Sequence, residues 1–256
     1  MLKKRLVGVI AVKDGWAVQS FGYRRYLPLG RTECLAENLD RWGVDEIMIL
    51  CLDRTRRGLG PDLGLLRRIG ELGLATPVTY GGGIRTAEDA VAVIQLGADR
   101  LCLDAILHDH PERVREMSAL IGAQALIASL PLSCEADGLS RHDYRDGHVA
   151  VLSAGSLHLL SEGVISEALV IDWCNEGKPG AFDIGLVGRF PVANVPLIVF
   201  GGISEVDQVS CLLDMPTVTA VGIGNFLSYR EHAVQHIKAR LTAQVRDWTY
   251  ATEFGR

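Results

Sequence analysis

Segments of this chain recur at a spacing of about 120 residues: Gly82-Gly83-Ile84 returns as Gly201-Gly202-Ile203, Gly43-Val44 as Gly163-Val164, and Glu46 as Glu167. A recurrence of whole strand-and-turn segments demands a fold that divides into two like halves. Short apolar runs alternate with helical patterns along the chain, the signature of βα units that build a parallel sheet. Strands are expected to begin near Arg5, Asp45, Thr76, Asp99, Gln124, Glu167, Pro196 and Val218. Eight such units use 256 residues completely and close a (βα)8 TIM barrel, class α/β, as one domain over 1–256. Its half-barrels fall at about 1–122 and 123–245, leaving a tail at 246–256.

Helices are expected at Thr32–Trp42, Pro61–Leu72, Thr86–Leu96, Pro111–Ile121, Glu205–Leu213 and Tyr229–Arg246. Thr86 and Ser204 suit N-caps, and Pro111 suits a first helical turn. The least regular stretch, Leu130 to Ser156, holds Tyr144-Arg145-Asp146-Gly147-His148, where Asp-Gly signals a hairpin turn and an excursion after the fifth strand.

Side-chain alternation assigns directions. If Arg5 points into the barrel, so do Val7, Val9 and Ala11; Arg100, Cys102 and Asp104 share a face, as do Glu167, Leu169 and Ile171. Arg5, Glu46, Arg100 and Glu167 each open a strand, which places two cations and two anions at one end of the barrel. A salt-bridge network that merely closes the barrel is the plain alternative to a functional ring, but buried ion pairs stabilise little better than apolar replacements.

A net charge of −5 and a pI near 5.8 argue against general nucleic-acid binding, which needs a basic face to release counterions. The apolar run from Leu6 to Val12 is too short for a secretory or membrane segment, so a cytoplasmic protein is expected. Six cysteines are scattered without a CxxC pair, which suits reduced thiols and calls for neither metal nor cofactor.

Lys4-Arg5-Leu6-Val7 leading to Val12-Lys13-Asp14-Gly15, then Gly43-Val44-Asp45-Glu46, Gly81-Gly82-Gly83-Ile84, Gly97-Ala98-Asp99-Arg100, Gly201-Gly202 and Phe226-Leu227-Ser228-Tyr229-Arg230-Glu231 follow in a familiar order. The chain resembles the cyclase subunit of imidazole glycerol phosphate synthase, a divergent member of the HisA-HisF barrels, over nearly its whole length. Only Ser129 to Ser166 matches poorly. The resemblance implies a glutaminase (HisH-like) partner at the N-terminal face of the barrel, ammonia passing through the barrel, and a phosphorylated substrate across the opposite face. It implies that Arg5, Glu46, Arg100 and Glu167 form the ammonia gate, with Asp99 as the docking aspartate beside it.

At the opposite face the likeness breaks. The family's two proton-transferring aspartates fall on Ala11 and Pro131, neither of which can carry a proton. Its lysine after the first strand falls on Gln19, and the aspartate ending the second strand on Cys51, with Asp53 two positions later. In the second half, Gly177, Gly201, Gly202, Gly224 and Asn225 can present backbone N–H groups to a phosphate. In the first half Gly82 and Gly83 remain, but the family's Asn-Thr pair becomes Asp104-Ala105. A carboxylate about 4 Å from a phosphate charge costs roughly 1 to 4 kcal/mol per charge pair, which disfavours a second phosphate there. Tight strand-to-helix turns are the plain alternative for all these glycines.

Of the carboxylates near this face, Asp53, Asp104, Asp172 and Glu176, the first to test as replacement acid or base are Asp104 and Glu176. Tyr23-Arg24-Arg25-Tyr26 and Arg54-Thr55-Arg56-Arg57 offer either a cationic rim for a phosphorylated or nucleotide-linked substrate or a solvated loop surface. Cys102 reads as a small buried filler, and His108, His110, His232 and His236 as solvated histidines. The resemblance leads to an ammonia-channelling barrel that serves a substrate other than the histidine-pathway intermediate, with amidination of surface sugars as one possibility. The alternatives are the family's own cyclisation with replaced acid and base, and a noncatalytic barrel acting as scaffold or regulator.

Overall fold

The computed structural model describes residues 3–135, 138–229, 232–241 and 245–246. Eight strands form a closed parallel barrel: β1 (Arg5–Lys13), β4 (Glu46–Cys51), β5 (Val78–Gly81), β6 (Arg100–Leu103), β7 (Leu126–Glu135), β10 (Glu167–Asp172), β11 (Leu197–Phe200) and β12 (Val218–Ile223). Closure is explicit, because β12 pairs in parallel with β1 through Arg5 opposite Ala220, and β7 pairs with β10 through Glu167 opposite Ile127. All eight strands begin within about three residues of the expected positions, since each follows a turn and opens an apolar run.

The helices α1 (Thr32–Trp42) and α5 (Pro111–Ile121) have the expected bounds. The helix after β5, α3 (Ala87–Gln95), starts on a capping box in which Thr86 and Asp89 satisfy each other's backbone N–H groups. Three boundaries differ from expectation. Helix α2 (Leu63–Gly70) starts later than Pro61 because the Asp62 carboxylate accepts from the Leu65 N–H and caps it. At α8 (Val206–Asp214) the N-cap residue is Glu205 rather than Ser204. The last helix, α9 (Ala233–Arg240), covers only part of 229–246; Arg230, Glu231 and residues 242–244 lie outside the described residues, as does the tail beyond Arg246. Between β6 and α5 stands a short helix, α4 (Ala105–Asp109); α6 (Ala154–Ser161) precedes β10, and a single turn, α7 (Gly185–Gly188), precedes β11.

Two antiparallel excursions leave this regular plan. The first is β2 (Trp16–Phe21) with β3 (Arg25–Gly30), folded back on β1 through the turn Asp14-Gly15, both residues at positive φ. Such a hairpin was unexpected there, although Asp-Gly is a strong hairpin signal. The second is β8 (Gly138–His142) with β9 (Val149–Val151), turning at 143–148 as Asp146-Gly147 suggests.

The alternation holds. Val7, Val9, Met48, Cys102, Leu169 and Ile171 pack together inside the barrel, while Leu6, Ile10, Ile47 and Val170 face the helices. No helix among the described residues is long and apolar enough to cross a membrane.

Candidate active site

The four charged residues that open β1, β4, β6 and β10 meet at the base of the barrel. Arg5 donates to Glu46 at 2.8 Å and to Glu167 at 2.5 Å; Arg100 reaches Glu167 at 2.5 Å and Glu46 at 3.9 Å. Thr79 donates to the second oxygen of Glu46 at 2.6 Å. Burial works against the charge on Glu167, yet the hydrogen bonds and charges of Arg5 and Arg100 outweigh it and hold its carboxyl below the ordinary range. Asp99 is exposed beside this ring, and one of its oxygens accepts from the Val78 N–H at 2.8 Å.

Above the ring an apolar layer separates the base from the mouth. The mouth holds a cavity of about 410 Å³, floored by Leu50, Cys102 and Ile171 and walled by Gly82, Gly83 and Asp104. Cys102 is buried and its thiol is pushed up to about 12, chiefly by burial, which suits the filler role.

The carboxylates separate cleanly by environment. Asp172 is buried and fully used, accepting from Asn175 and from the Asp183 N–H. Asp53 is tied to Arg57 and to the Asp14 N–H. Glu176 is buried under the first hairpin, where it accepts from Ser20 Oγ at 3.1 Å; burial raises its carboxyl above the ordinary range. Asp104 lines the cavity, its Oδ1 sealed from solvent without a hydrogen-bond partner, and burial lifts its carboxyl from 3.8 to about 7, with Arg141 opposing and Asp143 reinforcing the rise. Ala11 borders a separate cavity of about 250 Å³ beside α1, and Pro131 is buried opposite Ile171.

The glycine turns keep the repeat down to backbone conformation. Gly82 and Gly201 have φ of 121° and 107°, and Gly83 and Gly202 have 77° and 74°. A Cβ on Gly82 would stand 2.4 Å from the Cys51 carbonyl oxygen, and one on Gly201 would stand 2.5 Å from that of Asp172. Close backbone approach alone therefore requires glycine at both places.

The space in front of the two turns differs. In the second half the hollow among Gly177, Gly201, Gly202, Gly224 and Asn225 is shallow. The first hairpin is bonded to its edge: the Ser20 N–H donates to Asn225 Oδ1 at 3.2 Å, Asn225 Nδ2 donates to the Ser20 carbonyl at 2.6 Å, and the Gly22 N–H donates to the Glu176 carbonyl at 3.0 Å. In this conformation the open cavity belongs to Gly82 and Gly83, with the Gly83 N–H bonded to Thr55 Oγ1 at 3.1 Å.

Side chains of the two hairpins and Trp173 complete the mouth; of these, Tyr23 stood in the stretch offered as a cationic rim, and Tyr144 and Arg145 in the expected hairpin turn. Tyr23 and Tyr144, one from each hairpin, face each other with ring centroids 4.8 Å apart. His142 stacks on Trp173 at 4.1 Å. Arg141 and Arg145 grip Asp143, whose carboxyl is held far below the ordinary range, first by its hydrogen bond from Arg145. His108 is a correction: the second hairpin covers it, its Nε2 is buried without a partner, and burial lowers its pKa to about 4. His110, His232 and His236 are exposed as expected. Of the arginines after the second strand, Arg54 braces the carbonyls of Gly60 and Pro61 and Arg57 pairs with Asp14 and Asp53, which leaves Arg56 on the cavity rim. Among the described residues no group of three or more His, Cys, Asp or Glu is placed to hold a metal ion.

A closed parallel barrel with a cavity at the C-terminal ends of its strands and paired Gly-Gly turns defines a duplicated (βα)8 barrel. Residues 5–233 match the family described as histidine biosynthesis protein, and the chain belongs to it. Within that family it is HisF-like. It is 30% identical over 207 residues to the imidazole glycerol phosphate synthase subunit HisF of Thermococcus gammatolerans, covering 79% of this chain and 81% of the relative. To the subunit of that name from Exiguobacterium sibiricum it is 28% identical over 214 residues, covering 82% and 85%. To the subunit hisF2 of Vibrio vulnificus strain YJ016, an assignment its name marks as provisional, it is 26% identical over 243 residues, covering 94% and 89%.

Proposed function

We propose that this chain is the ammonia-using barrel of a glutamine-dependent pair. A glutaminase of the HisH kind docks at the base beside Asp99, and ammonia passes the ring of Arg5, Glu46, Arg100 and Glu167. It reacts in the mouth cavity with a phosphorylated or nucleotide-linked substrate other than the histidine-pathway intermediate. Amidination of a surface sugar is a reaction of this class.

The observation that carries this reading is the state of Asp104 at the mouth, a cavity carboxyl whose pKa near 7 suits general acid and base work at neutral pH. A decayed barrel has no reason to keep such a group, because its burial opposes folding once it ionises. The base supports the same reading, since four buried charges are a poor device for stability alone. Val7, Met48, Leu169 and Ile198 between the two ends would pass neutral ammonia and resist ammonium, which loses its hydration in an apolar interior. Ala11 and Pro131 cannot supply the proton transfers, so Asp104 takes that part, with Glu176 second because it lies beneath the first hairpin.

Co-expression with a class I glutaminase tests this. The expected result is a stable complex in which glutamine hydrolysis rises at least tenfold, and Arg5→Ala then releases ammonia without product formation. Failure to bind and to stimulate any such glutaminase would overturn the reading. Turnover of the family's ribulosyl substrate with ammonium salt would instead restore the ordinary cyclisation.

A further inference from the structure

The mouth cavity has two chemically distinct ends. At its inner end three polar atoms are buried without a hydrogen-bond partner, namely Asp104 Oδ1 and the phenolic oxygens of Tyr23 and Tyr144. The two phenols lie close enough to interact with each other, and neither has another partner among the described residues. Burial raises both well above their ordinary pKa, so they are neutral hydroxyls at physiological pH. A buried polar atom left unpaired costs about 1–3 kcal/mol, and a site with three of them is built to receive hydrogen-bonding groups of a ligand.

At the rim the charge is positive. Arg56, Arg85 and Arg113 line the opening, and among the described residues none of them forms an ion pair. The one acidic residue at this rim, Asp109, is already neutralised by Arg145. Arg56 and Arg85 therefore offer cationic forks to an anion, and Arg113, whose Nη1 donates to the Arg85 carbonyl at 3.3 Å, keeps its remaining donors for it, the geometry that favours bidentate phosphate or carboxylate recognition. Asp104 sits at the opposite end, so an anion held at the rim is spared its repulsion.

Size and the second half of the barrel fix the rest. A cavity of about 410 Å³ lies near the lower bound of small-molecule sites, which run from roughly 300 to 1,000 Å³. A second anionic end is poorly served at the other glycine pair, where the hollow is shallow and Asn225 is already engaged by Ser20.

We infer that the cavity binds a single-ended ligand, a monosaccharide-sized polyhydroxyl body carrying one phosphate, with the phosphate on Arg56, Arg85 and Arg113 and the hydroxyls on Tyr23, Tyr144 and Asp104. This deepens the proposed function by naming its substrate class, and it rests on that reading only in taking the cavity as the reaction chamber.

Calorimetric titration of the full chain, without glutaminase or ammonia, tests it with ribose 5-phosphate, fructose 6-phosphate, glucose 1-phosphate and inorganic phosphate as probes. At least one sugar phosphate should bind at least tenfold tighter than inorganic phosphate, at one site per chain. Arg113→Gln should weaken inorganic phosphate and that sugar phosphate by a similar factor. Tyr144→Phe should leave inorganic phosphate unchanged and weaken the sugar phosphate about tenfold. Two sites per chain, loss of binding in Asn225→Ala with Arg113→Gln unaffected, or no sugar phosphate tighter than inorganic phosphate would each overturn the inference. Because no partner is present, a negative result here leaves glutaminase coupling standing, and loss of coupling leaves this binding standing.

Discussion

Replacing Asp104 by asparagine should stabilise the protein at alkaline pH while abolishing its chemistry. The Asp104 carboxyl is raised from 3.8 to about 7 by burial, with Asp143 adding to the rise and Arg141 opposing it. The sign follows from linkage. A raised folded pKa contributes stability that is fully present below the unfolded value, near 4, and is lost as pH climbs through the folded value. Each tenfold change in acidity corresponds to about 1.4 kcal/mol, so the wild-type protein forfeits up to about 4 kcal/mol between pH 4 and pH 7, and no more beyond. Asparagine matches the shape of the protonated acid and never ionises. Asp104→Asn should therefore be close to neutral at pH 4, stabilising by about 1 to 2 kcal/mol at pH 5, and by about 3 to 4 kcal/mol at pH 8. Urea unfolding at these three pH values reads the difference directly, and carbon-detected NMR of the carboxyl supplies an independent pKa. An Asp104→Asn effect that is the same at all three pH values, or destabilising at pH 8, would refute the assignment of a buried, perturbed carboxyl.

Three further outcomes follow from geometry. Arg5→Met leaves Glu46 and Glu167 sharing Arg100, and removal of one partner from a buried pair costs about 3–5 kcal/mol, so a loss of about 3 kcal/mol is expected in urea unfolding at pH 7. Asn225→Ala removes two hydrogen bonds that hold the first hairpin over the second-half glycines; cleavage by trypsin after Arg24 or Arg25 should accelerate about tenfold, with global stability lowered by no more than about 2 kcal/mol. Gly82→Ala forces a side chain into a φ of 121° with its Cβ 2.4 Å from the Cys51 carbonyl oxygen, and should lower the thermal midpoint by several degrees through a loss of at least about 2 kcal/mol; an unchanged melting curve would show that the turn relaxes freely.

The barrel was legible because its signals are local. Each strand opens at a turn, and its first residue declares the face on which the alternation begins; Arg5, Glu46, Arg100 and Glu167 were all placed at the base by that count. The mouth was less legible because its residues come from excursions whose course depends on tertiary packing. Asp104 was nominated, but nothing in the local pattern says that its oxygen stands unpaired or that Asp143 and Arg141 stand close enough to shift it. His108 looked like a loop histidine because the hairpin that buries it lies more than thirty residues further along the chain. The second-half glycines were named from residue types alone, and nothing in the local pattern says that the first hairpin would be hydrogen-bonded to Asn225 and Glu176 beside them.

The two excursions explain why this mouth departs from the resemblance. Each follows the first strand of one repeat, β1 in one case and β7 in the other, and each of those strands carries, one position before the end of its apolar run, a residue that cannot move a proton, Ala11 and Pro131. The hairpins then deliver Tyr23 and Tyr144, which stand in the sequence at the same interval as Glu46 and Glu167 and meet over the cavity at 4.8 Å. Burial holds both phenols un-ionised. Neither phenol suits proton transfer near neutral pH, and the proposed reaction assigns that part to Asp104. Its repeat partner, Asn225, holds the first hairpin shut instead. The two halves of the duplication thus differ at the mouth: in one the first hairpin is hydrogen-bonded to Asn225, and in the other Asp104 lines the open cavity, the arrangement that the proposed ligand with a single anionic end calls for.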